Sequence, residues 1–252
     1  MQPESASSCG EYKMVKVKIR RKSFVFVVSL AIIFAAITFA LASCTDFFTG
    51  SLAEWAARNP QNLVPDVTAG NVLDIIAEFE NNPDASLVVL QRIRDGLSSV
   101  PPWDVPVLQA SSLIAAVNSA SMVTAVLSSV PNIDDIDEDN ATEIIDKAIS
   151  NMTNLESTSL LLYQIITSPG TPGFDTFAAF SDPDDLAFAA ILLLSAEAKH
   201  APGDLDSYVN DFPTKEKTPI ENLALALAEA AVNHEDELGG PLGDILKGLN
   251  LI

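Results

Sequence analysis

The residues best suited to chemistry form one acidic run between positions 135 and 146. Within it, oxygen-bearing side chains recur at the first, third, fifth, ninth and twelfth places, namely Asp135, Asp137, Asp139, Glu143 and Asp146. Carboxylate oxygens at this spacing suit a hard cation such as Ca²⁺, which takes six to eight oxygen ligands. The run is therefore the one candidate metal site that the sequence offers.

This run resembles the calcium-binding loop of the EF-hand, but it departs from that loop at three places. Asn140 stands where glycine makes the sharp turn, and Thr142 stands where an aliphatic residue is usual. Asp146 replaces the glutamate that binds with both oxygens, and it is one methylene shorter. Acidic residues are also favoured at the start of a helix by the helix dipole. The sequence favours an acidic helix start and leaves calcium binding as a secondary hypothesis.

Catalytic motifs are missing from the sequence. It has no Gly-x-Ser-x-Gly elbow, no Ser-x-x-Lys, no phosphate-binding glycine loop and no His-Glu-x-x-His. The two histidines, His200 and His234, lie near predicted helix ends, where a cation suits the dipole. Cys9 and Cys44 both precede the main body, which excludes a thiolate metal site there. We therefore expect no enzyme activity and no required cofactor.

Four aromatic residues are candidates for a ligand site or an interface. Phe174, Phe177 and Phe180 repeat every third residue between two proline breaks, which predicts a short helix packed on the core. If that face is exposed, it forms a groove for an apolar ligand or a partner helix. Trp103 lies in a predicted loop, where it covers the core or anchors an interface. The apolar run Leu186–Leu194 is too short to span a bilayer and predicts a buried helix.

Charge is distributed very unevenly along the 252 residues. The chain has 34 acidic and 14 basic residues, a net charge of −20. Residues 1–43 hold six of the bases and two of the acids, so residues 44–252 carry 8 bases and 32 acids. The net charge of this second part is −24. Such a surface repels phosphate backbones, which argues against nucleic-acid binding and predicts a basic protein partner.

The N-terminal part has the pattern of an export signal. Residues 15–22 are strongly basic, and residues 24–42 form an uncharged apolar stretch. The stretch ends in Leu41, Ala42, Ser43 and Cys44, in which small residues precede a cysteine. Residues 1–13 add nothing that an export signal needs, which makes Met14 a candidate start.

This ending resembles the lipobox of bacterial lipoprotein precursors. The resemblance implies cleavage by signal peptidase II between Ser43 and Cys44, after which Cys44 is the acylated first residue. The alternative is an uncleaved membrane anchor, because 19 apolar residues can cross a bilayer. Either interpretation places the body outside the cytoplasm on a bacterial membrane. Whether that is the periplasmic face or the outer membrane stays open.

Helix signals dominate the rest of the chain, so the sequence predicts an all-α fold. Apolar stripes and capping patterns recur from residue 70 onward and give about eight to ten short helices. The caps are predicted at Asn82-Pro83, Asp182-Pro183 and the two capping-box patterns Thr153–Glu156 and Thr218–Glu221. We predict a signal peptide at 1–43, a lipidated tether and entry segment at 44–68, and an acidic all-α domain at 69–252. Helix starts about 30–40 residues apart suit either a multi-helix bundle or a solenoid of helix pairs.

These observations favour a lipid-anchored protein that binds or scaffolds another protein of the cell envelope. The alternative is a carrier of a small apolar ligand, held between helices near the phenylalanine trio and Leu186–Leu194. A calcium-responsive module is a third and minor alternative.

Overall fold

Helices account for all the regular structure in the part of the chain that the computed structural model describes. That part comprises residues 59–130, 136–166, 168–234 and 240–252. A 3₁₀ turn at Pro60–Asn62 leads into the helices α1 Val72–Glu78, α2 Pro83–Gly96, α3 Val105–Ser119, α4 Met122–Ser129 and α5 Ala141–Ile149. The remaining helices are α6 Leu155–Ile165, α7 Pro172–Phe180, α8 Pro183–His200, α9 Leu205–Asp211, α10 Pro219–His234 and α11 Gly240–Gly248. The predicted all-α class is confirmed.

Local capping chemistry fixes where several of these helices begin. The Asn82 side chain accepts a hydrogen bond from the Ala85 N–H at 3.1 Å, so α2 begins at Pro83 as the sequence predicts. At α10, Thr218 and Glu221 form a reciprocal capping box, with N–H···O distances of 3.1 and 2.8 Å. Asp182 caps α8 with a single hydrogen bond, which its side chain accepts from the Asp184 N–H at 2.9 Å.

One predicted cap is wrong. The pattern from Thr153 to Glu156 predicts a capping box at α6, but the residue before the helix is Asn154, with φ of 48° and no capping hydrogen bond from its side chain. The Thr153 hydroxyl instead donates to the carbonyl oxygen of Ser119 at 3.1 Å. A tertiary contact to the end of α3 therefore replaces the local cap.

The apolar helix α8 lies at the centre of the fold. Its residues from Leu186 to Leu194 are buried, apart from the partly buried Phe188. The partner that α8 contacts most extensively is α10, whose buried face consists mainly of alanines and leucines. Short side chains allow two helices to approach closely, and this pair forms the middle of the hydrophobic core.

Contacts between helices that are distant in sequence show a bundle. Helix α3 contacts α6, α7 and α8, and α5 contacts α11 at the other end of the chain. In a solenoid each repeat contacts only its neighbours. The described helices therefore close on one another within one unit, Asn59–Ile252, and do not form an open stack of helix pairs.

Residues 59–68 are attached to this bundle through α2. Val64 is buried, and Arg92 of α2 donates to Asp66 and to the carbonyl oxygen of Gln61, both at 3.0 Å. This segment belongs to the predicted tether and entry segment, 44–68. The role of that segment and the domain boundaries stay predictions.

The predicted signal and lipidation residues lie outside the described residues. This holds for the apolar stretch 24–42, for Ser43 and for Cys44. Within the described residues, no single helix is both long and apolar enough to span a membrane, and α3 and α4 meet the length and composition criteria only as a pair bent by 46°.

Candidate functional site

The acidic run forms a helix start in the described part of the chain. Asp137 and Asn140 are joined by two reciprocal hydrogen bonds of 3.0 Å between side-chain oxygens and backbone N–H groups. Helix α5 begins at Ala141, so Glu143 and Asp146 lie on a helix and not in a wrapping loop. Lys147 pairs with Glu143 at 2.5 Å and holds the pKa of that carboxyl below its ordinary value, chiefly through the hydrogen bond.

Calcium binding gains no geometric support from these residues. Asp135 lies outside the described residues, and Asp139 is exposed. Within the described ranges, no three acidic, histidine or cysteine side chains converge as a metal site requires. The calcium-responsive module stays a prediction from the sequence.

The four aromatic candidates divide into two that are buried and two that are exposed. Phe174 and Phe177 pack in the core, edge to face, with ring centroids 5.7 Å apart. Phe180, at the end of α7, is 62% exposed. Trp103 is 74% exposed, so the interpretation of this residue as core cover is wrong. The two exposed side chains are available to a partner.

Phe174 also borders a shallow surface cleft between α7 and α10. The cleft has a volume of about 450 Å³, and its other lining residues include Asp175, Glu229 and Asn233. Carboxylates beside the ring do not suit a purely apolar ligand.

A second cleft lies where the ends of α2 and α6 meet the starts of α3 and α10. Its volume is about 680 Å³, within the usual range for ligand sites. Seven of its lining residues are aliphatic or proline: Leu97, Val105, Ile165, Ile166, Pro169, Pro219 and Leu223. The other five are polar and neutral: Gln109, Tyr163, Gln164, Ser168 and Asn222. We call it the uncharged cleft, because none of the described residues that line it carries a charge.

Several polar groups of the uncharged cleft keep hydrogen-bonding capacity. Arg94 donates to the side-chain oxygen Oε1 of Gln164 at 3.3 Å, so the NH₂ group of the same side chain is a remaining donor. The Asn222 NH₂ group donates to the carbonyl oxygen of Lys217 at 3.5 Å, so the Asn222 oxygen is a remaining acceptor. Gln109 is different, because its amide donates to the Ile165 carbonyl oxygen at 2.8 Å and is buried.

A buried polar cluster fixes the start of α10 beside this cleft. Glu221, only 1% exposed, accepts from the Tyr208 hydroxyl and the Thr218 N–H and pairs with Lys215 at 2.5 Å. The Lys215 ammonium also lies 3.7 Å from the centroid of the Tyr208 ring. Burial raises the pKa of Glu221, but the hydrogen bonds from Lys215, Tyr208 and the Thr218 N–H outweigh it and keep that pKa below its ordinary value.

This cluster is a structural device and not a reactive site. Each oxygen of Glu221 already has a partner, and the pKa of Tyr208 is raised by burial and by the neighbouring carboxylate. The sequence identifies Glu221 as part of a capping box, but it gives no signal for Tyr208 and Lys215 as its partners. The cluster positions Pro219, Asn222 and Leu223, which line the uncharged cleft.

His200 is the one histidine whose side chain the structure describes. His200 is exposed, and its Nε2 atom lies 3.6 Å from a carboxylate oxygen of Glu156. The side chain of His234 lies outside the described residues.

No protein-family model, no curated protein and no solved structure matches this chain.

Proposed function

We propose that this chain is a lipid-anchored, extracytoplasmic bacterial protein whose acidic helical body binds another protein of the cell envelope. The lipobox-like ending at Cys44 supports the anchor and the location. The missing catalytic motifs support a role in binding and not in catalysis.

The exposure of Trp103 and Phe180 carries the proposal for protein binding. Aromatic side chains bury about 150–250 Å² each and dominate the energetics of many interfaces. Trp103 follows Pro101 and Pro102 and lies two residues before Val105, at which α3 begins. Its backbone is restrained by these neighbours, so a partner can bury it with little loss of conformational entropy.

The strong negative charge supports a basic partner surface. Complementary charge speeds the encounter of two proteins more than it tightens the final complex. Since salt screens exposed charges over about 10 Å at 0.1 M, this contribution weakens as ionic strength rises.

Partner capture with matched variants tests the binding role. The full-length protein is immobilised and exposed to solubilised envelope proteins at about 0.05 M and about 0.5 M salt. We expect a discrete basic partner at low salt, and we expect Trp103→Ala to reduce its recovery about tenfold. Leu73→Ala is the control, because Leu73 is also apolar and 58% exposed. Failure to capture any envelope protein at low salt, or equal losses in both variants, would contradict the proposal.

Fatty-acid labelling tests the anchor independently. Cells that express the chain are fed a fatty acid with an alkyne tag, and the protein is then isolated. We expect Cys44→Ser to abolish labelling and Cys9→Ser to leave it unchanged. A label that survives in Cys44→Ser would contradict acylation at Cys44.

A further inference from the structure

We propose that the uncharged cleft binds an extended peptide segment that carries no charged residues. This inference rests on the proposed function, in which the protein binds a partner. It specifies the chemistry of the partner segment that the cleft recognises.

The charge of the cleft differs sharply from that of the chain. The sequence has a net charge of −20, yet none of the described residues lining this cleft is ionisable at neutral pH. A charged group that enters such a cleft loses hydration and finds no ion-pair partner among the residues that line it. The Arg94 guanidinium at the edge, which donates to the Gln164 side chain, is already paired with Asp95. A neutral segment avoids this cost, so the cleft selects for uncharged residues.

The remaining polar groups match the backbone of a peptide. A peptide group offers one N–H donor and one carbonyl acceptor for each residue. The Gln164 NH₂ group and the Tyr163 hydroxyl can donate to carbonyl oxygens, and the Asn222 oxygen can accept from an N–H group. Tyr163, Gln164 and Asn222 are all exposed to solvent, so a peptide can reach them.

The apolar part of the cleft favours a peptide over a neutral sugar. Leu97 and Val105 are partly exposed and present branched aliphatic groups, which pack well against aliphatic side chains, and the buried Ile166 and Leu223 support them from below. Sugar rings bind mainly by stacking on flat aromatic faces, and Tyr163 is the one aromatic residue among the described residues of the lining. A peptide can use both parts of the cleft at once. Its backbone can form hydrogen bonds with the side-chain amides, and an apolar side chain can pack against the aliphatic residues.

Peptide selection followed by titration tests the proposal. A display library of short peptides is selected against the full-length protein, and recovered sequences are synthesised with a fluorescent dye. Their affinity is then measured by fluorescence anisotropy. We expect the recovered sequences to lack charged residues in the part that binds, and their Kd to change less than about twofold between 0.05 and 0.5 M salt.

A matched pair of variants locates the binding site. Asn222→Asp places a charge in the cleft and is expected to weaken peptide binding about tenfold. This variant should still fold, because a carboxylate in the first turn of α10 suits the helix dipole. Asn210→Asp makes the same change at an exposed position outside the cleft lining and is expected to leave the Kd unchanged. Gln164→Ala tests the amide directly, with an expected loss of about three- to tenfold.

Several results would overturn the proposal. These are the recovery of charged sequences, equal effects of the two aspartate variants, or no peptide recovered at all. A panel of neutral oligosaccharides is titrated in parallel. Binding of a sugar without binding of any peptide would assign the cleft to a carbohydrate and overturn the peptide proposal.

Partner capture separates failure of this inference from failure of the proposed function. Capture that is lost in Trp103→Ala but unchanged in Asn222→Asp would overturn the role of the cleft and leave the binding function standing. Absence of any captured partner would overturn the proposed function, and the peptide titrations would still decide the specificity of the cleft.

Discussion

Two carboxyl groups that are at least partly buried have pKa values shifted in opposite directions. Glu221 is buried, yet three donors compensate its charge, so its pKa falls. Asp185 is half-buried in the first turn of α8, and burial together with the nearby Asp182 and Asp184 raises its pKa to about 6. The number of donors around each carboxylate, and not burial alone, decides the direction of the shift.

Asp185→Asn is expected to stabilise the protein near neutral pH. The pKa of Asp185 is higher in the folded state than its ordinary value of 3.8. The folded state therefore disfavours ionisation, and stability is lost as pH rises from about 4 through 6. Asparagine does not ionise, so the variant does not lose this stability. Its free energy of unfolding, relative to that of the native protein, should rise by about 1–2 kcal/mol from pH 4 to pH 7.5. Urea unfolding at the two pH values, followed by circular dichroism, measures this gain.

The control for this prediction is Asp175→Asn, in the first turn of α7. Both substitutions remove a carboxylate from a helix start, so the loss of the dipole interaction is common to both. Only Asp185→Asn should show the pH-dependent gain. Equal pH dependence in the two variants would contradict the role assigned to the environment of Asp185.

Removal of the Tyr208 hydroxyl is expected to destabilise the fold. Tyr208→Phe deletes one of the donors to the buried Glu221 carboxylate and leaves the rest of the ring in place. A hydrogen bond to a charged group contributes about 1.5–3 kcal/mol, and we expect a loss in this range in urea unfolding. Tyr163→Phe makes the same chemical change at a side chain that is 41% exposed, and it should change stability by less than about 0.5 kcal/mol. Similar losses in both variants would mean that the hydrogen bond from Tyr208 to Glu221 makes no special contribution to stability.

At the scale of helices, local sequence signals succeed where the helix start is decided locally. Asn82 and Thr218 satisfy backbone N–H groups within the next three residues, so their caps could be predicted from the sequence. Thr153 could not, because its hydroxyl bonds to Ser119, more than thirty residues away. Helix α9, Leu205–Asp211, was not predicted either, since seven residues give only a short apolar stripe of Leu205, Tyr208 and Val209.

The uncharged cleft could not be predicted from the sequence for a related reason. Its lining comes from the ends of four helices, and Leu97, Tyr163 and Asn222 are separated by more than fifty residues at each step. No periodic pattern marks residues that meet only after folding. The phenylalanine spacing, by contrast, predicted a helix correctly, but it did not indicate that Phe180 faces solvent while Phe177 is buried.

Helix packing at the end of the chain depends on the absence of a side chain at Gly248. A Cβ atom built on Gly248 would lie 2.6 Å from the Ala141 Cβ and 2.8 Å from the Glu138 carbonyl oxygen. Gly248→Ala should therefore separate α11 from the start of α5 and cost about 1–3 kcal/mol in urea unfolding. Gly96→Ala is the control, because a Cβ there meets nothing within 4 Å. Alanine favours the helix more than glycine does, so Gly96→Ala should be neutral or stabilising, and the same sign for both variants would contradict this account.

At the scale of the whole molecule, the contact pattern has a consequence for cooperativity. Helices near the two ends of the described chain share one hydrophobic core through α3 and α8. A solenoid would unfold in parts, because its stability is a sum over neighbouring repeats. A closed bundle in which distant helices contact one another should unfold in one transition.

Two leucine substitutions on different helices test this expectation. Leu90 of α2 and Leu192 of α8 are fully buried, so Leu90→Ala and Leu192→Ala should each cost about 2–5 kcal/mol. If the bundle is cooperative, both variants shift the same single urea transition, and far-ultraviolet and near-ultraviolet circular dichroism follow coincident curves. Leu160→Ala, at a 54% exposed position, should leave the midpoint nearly unchanged. A second transition that appears in Leu90→Ala but not in Leu192→Ala would show that α1 and α2 unfold independently of the other helices. That result would contradict a single cooperative core.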